Sequence, residues 1–158
     1  EGEMGAGKTT LLRLICGLEK PSAGEISVNG EVFCLFQEDR LLPWATARQN
    51  VALAGDGETA DYWLAQMEIS QPDAWPREMS GGMQRRVALA RALTRGGDLL
   101  LLDEPFKGLD EALRARIAWR IRHAAPLTVL SVHDETEAAL MDAKIIRLDA
   151  LITGGKNT

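Results

Sequence analysis

The run Gly2-Glu3-Met4-Gly5-Ala6-Gly7-Lys8-Thr9 constrains this chain more than any other feature. It fits G-x-x-x-x-G-K-[ST], whose glycines let backbone N–H groups turn inward around phosphate oxygens. The N–H groups of Gly2, Gly5, Ala6 and Gly7 would line the cradle, and the helix opening near Lys8 aims its positive end at the same charge. Lys8 then reaches the β- and γ-phosphates, Thr9 ligates Mg²⁺, and Thr10 adds a hydroxyl contact to the α-phosphate. The loop does not fix the reaction, because small-molecule kinases, GTPases and many ATPases share it.

Downstream, helical and strand signals alternate. Apolar spacing predicts helices over 9–18, 46–54, 59–69, 80–95, 110–123 and 134–141, and strands over 25–28, 32–36, 98–102, 127–132 and 144–148. Pro21, Pro43, Pro72, Pro76 and the pair Gly96-Gly97 separate them. Such alternation gives an α/β protein with a parallel sheet, and the nearly all-apolar segment 98–102 reads as a strand covered on both faces.

Composition excludes a few classes. No stretch approaches 18 consecutive apolar residues, so no segment reads as a transmembrane helix, and Glu1-Gly2-Glu3 does not open like a signal peptide. A net charge of −5 argues against a general nucleic-acid binder. Cys16 and Cys34 sit among apolar residues and read as reduced core thiols, as in a cytosolic protein. With the two scattered histidines they make no credible zinc site.

Leu99-Leu100-Leu101-Leu102 runs into Asp103-Glu104, two carboxylates at the end of a buried-type strand, where open α/β sheets bind their ligands. Asp103 suits Mg²⁺, directly or through water. Strand alternation should point Glu104 elsewhere, leaving it to polarise water for attack on the γ-phosphate.

Met79-Ser80-Gly81-Gly82-Met83-Gln84-Arg85-Arg86-Val87-Ala88-Leu89-Ala90-Arg91-Ala92-Leu93 resembles the signature motif of ATP-binding-cassette ATPases and the helix after it. The family pattern L-S-G-G-Q carries Met79 for leucine and Met83 for glutamine here. Ser80, Gly81 and Gly82 offer a hydroxyl and free N–H groups at a helix start, a second anion site. The resemblance implies that two subunits pack head to tail, each signature capping the nucleotide on the other's phosphate loop. It also implies that Gln37 senses Mg²⁺ and the attacking water, that Asp110 closes the loop 105–110 linking the two sites, and that His133 contacts the γ-phosphate. His123 has no such context and reads as a helix-end surface residue.

On the same resemblance, the chain is a single nucleotide-binding domain over 1–158, a P-loop core of ABC type with a small helical subdomain at about 42–82. Its expected work is Mg²⁺-dependent ATP hydrolysis. Its expected partners are a second cassette, transmembrane permease subunits and an external substrate-binding protein, with no nucleic acid, at the cytoplasmic face of a membrane. The segment 36–44, with Leu42 and Trp44, is closest to importers of nitrate, sulfonate, taurine and thiamine precursors, which points to a small anionic or nitrogen- or sulfur-containing nutrient. Trp44 and Leu42 read equally as core or as part of a groove for a permease helix. The rival readings are a cassette ATPase acting on ribosomes or DNA and a P-loop small-molecule kinase.

The sequence also departs from the family. It starts inside the phosphate loop, without the leading strands and adenine-stacking aromatic, and the intervals before and after Gln37 are short. It reads either as a piece of a normal subunit or as a genuinely reduced chain.

Overall fold

The computed structural model describes residues 7–148, so Gly2, Gly5 and Ala6 lie outside the described residues. Gly7, in the left-handed conformation at φ 83°, leads into helix α1 (Lys8–Ile15). The helix stops before residue 18 because Gly17 turns left-handed at φ 75° and donates its N–H back to Leu14, satisfying a terminal carbonyl.

Three strands form one parallel sheet in the order β1 (Val32–Leu35), β2 (Leu99–Asp103), β3 (Leu127–Ser131). All five β2 residues are buried, as its apolar run requires. Each leucine taken out of water there contributes ~2 kcal/mol before entropy is counted. The strand's period of two divides its side chains between two faces. Leu99 and Leu101 pack with Leu12 of α1 and with Val32, Cys34 and Val129, whereas Leu100 and Leu102 join the larger core with Phe33 and Leu35. Asp103 follows Leu99 and Leu101 in phase and therefore faces α1.

The larger core is closed by α2 (Ala47–Ala52), α3 (Gly57–Gln66), α4 (Gly81–Arg95) and α5 (Glu111–Arg122). Helix α4 packs on β1 and carries α2 and α3 on its other side. A short helix α6 (Glu135–Leu140) packs on α5. Local chemistry sets the starts. Thr46 and Gln49 form a reciprocal capping box, and Asp56, Ser80, Asp110 and Asp134 each accept a backbone N–H three residues on. Asn50, fully buried, bonds Leu42, Ala45 and Thr46 and fixes the chain reversal before α2.

Three strand expectations need correction. Segments 25–28 and 144–147 are irregular and Leu148 is helical, and none of these pairs with a strand among the described residues. Alternation shows which face is apolar but supplies no hydrogen-bonding neighbour, and Ile26, Ile145 and Ile146 are all exposed. β3, expected in the core, lies at the edge of the described sheet; only Ser131 of it is buried. Cys16 and Cys34 are free and half-buried on the α1 face. Burial, reinforced by the neighbouring Cys16, pushes the Cys34 thiol up to about 11, which keeps it protonated and unreactive.

Among the described residues no helix is long and apolar enough to cross a membrane.

Candidate active site

The ends of α1, β2 and β3 converge. Lys8, at the first turn of α1, donates through Nζ to the Val132 carbonyl at 3.2 Å, one residue before His133. Thr9 donates from Oγ1 to Asp103 Oδ2 at 2.6 Å. Ser131, level with Asp103 across the β2–β3 ladder, donates its hydroxyl to the other carboxylate oxygen. Asp103 is almost completely buried, so these two hydroxyls are what make its charge tolerable there. Thr10 is exposed on the same turn.

Glu104 does not continue the strand. Its backbone is left-handed at φ 51°, an uncommon conformation for a residue with a Cβ, and its N–H is held by the Ser131 carbonyl and hydroxyl. The expected divergence from Asp103 is real, but this turn produces it, not strand alternation. The carboxylate is gripped from two sides: Gln37 Nε2 donates to Oε2 at 3.2 Å, and His133 Nε2 meets Oε1 at 3.0 Å. Burial pushes the Glu104 carboxyl up, but the hydrogen bonds from His133 and Gln37 and the charges of His133 and Lys107 outweigh it. The group is held below the ordinary carboxylate range, ionised and able to accept a proton. Glu137, buried on α6, accepts the His133 backbone N–H and pairs with Arg114, which fixes the turn carrying the histidine.

The donor set fits a hard divalent cation. Thr9 Oγ1 and Asp103 Oδ2 sit side by side, 2.6 Å apart. Among the described residues no three His, Cys, Asp or Glu side chains cluster into a self-sufficient metal site. Two protein oxygens with the remaining positions left to phosphates and water is how Mg²⁺ is ordinarily held. Gln37, which the resemblance sets against Mg²⁺, donates its amide N–H to Glu104, and its carbonyl oxygen is the atom that would face a cation.

The expected second anion site falls at the start of α4. Ser80 caps the helix, its Oγ accepting the Met83 N–H at 3.2 Å, which leaves its own proton to donate. The two glycines differ. A Cβ on Gly81 would meet nothing within 4 Å, so that backbone is open to an incoming group. A Cβ on Gly82 would lie 2.6 Å from the Gly108 carbonyl, so Gly82 is glycine to let the 105–110 loop pass. Asp110 accepts the Leu113 N–H at 2.9 Å and starts α5.

Sequence reading missed Ser131, Glu137 and Arg85, because only the packed sheet shows what they touch. His123 behaves as expected, capping the end of α5 and stacking on the exposed Trp119.

A family model described as ABC transporter matches residues 1–107. The chain belongs to the ABC transporter family. Its α/β core has the cassette fold: a dimeric ATP-binding cassette, MJ0796, in a post-hydrolysis state bound to ADP and Pi, superposes with a TM-score of 0.81 at 27% identity, covering 88% of this chain and 75% of that one. Among curated relatives of this ABC protein is the aliphatic sulfonates import ATP-binding protein SsuB 3 of Paraburkholderia xenovorans, 44% identical, with 92% of this chain and 62% of the relative covered. Another is the SsuB protein of Granulibacter bethesdensis, 42% identical, with 94% and 66% covered. The chain thus spans less than two thirds of the length of these relatives.

Proposed function

We propose that this chain is the ATP-hydrolysing engine of an ABC importer that powers uptake of a small nutrient through a separate permease. The observation that carries the reading is the Glu104 carboxylate, gripped by Gln37 and His133 beside the Thr9–Asp103 pair. In this reading Glu104 takes a proton from water as the water oxygen attacks the γ-phosphorus, giving ADP and phosphate. Gln37 and His133 orient that water, and Lys8 with the phosphate-loop N–H groups stabilises the growing charge. Thr9 and Asp103 would hold Mg²⁺, which neutralises phosphate charge when bound.

Ser80, Gly81 and Gly82 would cap a nucleotide held by a second copy, with Asp110 anchoring the loop between the two sites. The open backbone at Gly81 supports that role. The second cassette, two permease subunits and an external binding protein complete the assembly, at the cytoplasmic face of the membrane. Residues 42–82, with α2 and α3, form the helical subdomain that meets the permease. Trp44, 70% exposed, supports the groove reading of that segment over the core reading. The names of the sulfonate-import relatives favour a small organic anion as cargo.

Two assays test this. Product analysis of Mg-ATP turnover should find free phosphate; transfer to an added metabolite without phosphate release would reassign the chain to kinases. Co-purification from the native host should recover membrane-spanning subunits. Recovery with ribosomes or DNA instead would overturn the importer reading.

A further inference from the structure

One side chain outside the expected site bridges two of its loops. Arg85 lies on the inward stripe of α4 with Ala88, Leu89 and Ala92, and is only 3% exposed. Its guanidinium donates to five acceptors. Nη1 reaches the carbonyls of Phe36 and Gln37 at 2.7 and 3.5 Å and Asp39 Oδ1 at 2.8 Å. Nη2 reaches the carbonyls of Asp103 and, at 3.0 Å, Glu104. One planar group thus ties the Gln37 loop to the Glu104 turn and both to the helix that Ser80 caps.

Stability alone explains this poorly. Its buried Nε–H has no acceptor among the described residues, and a buried charge is often replaceable by apolar groups without loss. Arg91, one and a half turns on, supplies a contrast. It holds the carbonyls of Asp39 and Arg40, the same loop, but no atom of the β2 end.

We infer that Arg85 is the positioning residue that sets Gln37 against Glu104. The inference rests on the proposed ATPase reading. Arg85, buried behind the site, would touch neither nucleotide nor water. Its removal should therefore lower kcat and spare ATP affinity.

The test is a double-mutant cycle in the full-length protein, reading kcat, KM for Mg-ATP and affinity for a fluorescent ATP analogue. Arg85→Gln is expected to lower kcat at least tenfold with analogue affinity within threefold of wild type, and Arg85→Lys to recover part of the loss. Gln37→Ala should cost several-fold in kcat in the wild-type background and little in the Arg85→Gln background, because Gln37 is already displaced there. Arg91→Gln should leave the full cost of Gln37→Ala in place. Equal cost in both Arg85 backgrounds, or wild-type kcat in Arg85→Gln, overturns the inference while the ATPase reading stands. Absence of ATP turnover in the wild-type protein overturns both. If Arg85→Gln does not fold, Asp39→Asn removes one leg of the bridge at a side chain that is 22% exposed, and the same cycle on that background decides.

Discussion

Glu68 joins two helices through its charge, and that charge should be measurable as stability. It follows α3 with a left-handed backbone at φ 55°, and its carboxylate accepts from Arg116 at 2.8 and 3.0 Å and from Arg120 at 2.9 Å, both on α5. The carbonyls of Met67 and Glu68 receive Arg86 from α4, so three helices meet at this point. The Arg116 hydrogen bonds, opposed by burial and helped by Arg120, lower the Glu68 carboxyl from 4.5 to about 2. At about 1.4 kcal/mol per tenfold change in proton affinity, that depression sets a ceiling of ~3 kcal/mol. Arg116 is half exposed and water screens it, so Glu68→Gln should cost ~1 kcal/mol at pH 7. The sign follows from the lowered value: the contribution is complete above pH 4.5 and is lost as pH falls toward 2. Urea unfolding of wild type and Glu68→Gln from pH 7 to pH 3 checks it. The gap between the two midpoints should shrink once pH drops below about 4.5. A gap that stays constant over that range, or none at pH 7, would refute the argument that the ionised pair carries the energy.

Other substitutions separate the parts of the proposed site. Glu104→Gln should lower phosphate release ~100-fold or more while ATP binding stays within a few-fold, and with Mg-ATP it should form a head-to-tail dimer detectable by light scattering. Lys8→Ala should lose at least tenfold in ATP affinity by calorimetry, since its ammonium is the positive side-chain charge that the motif sets against the phosphates. Gly81→Ala should leave the melting temperature unchanged and act only on the dimer, whereas Gly82→Ala should destabilise by ~1–3 kcal/mol through its clash with the Gly108 carbonyl, read by thermal unfolding. Ser131→Ala should cost ~1–3 kcal/mol in urea denaturation, because Asp103 and the Glu104 N–H both lose a partner.

The legible features share one property: their signal is local in sequence. Ser80, Asp110 and Asp134 announce helix starts because a cap and its N–H lie three residues apart. The four successive leucines of β2 announce its burial on both faces. What stayed hidden depends on partners far along the chain. Arg85 in a helix with several arginines reads as solvated until β1 and β2 surround it. Ser131 reads as the end of a strand until the ladder sets it level with Asp103. The alternation at 25–28 gave a face without a neighbour, and the backbone bonds of a strand come from the neighbour.

The left-handed turn at Glu104 bears on how relatives of this chain age. Holding a side chain with a Cβ at φ 51° costs about 1 kcal/mol, a cost that glycine escapes and asparagine reduces. A lineage kept only for its shape, released from turnover, has a downhill path at this position. Its copies should drift to glycine or asparagine there and gain heat resistance as they fall silent. On the proposed ATPase reading, a carboxylate kept at this turn in a relative marks continued turnover.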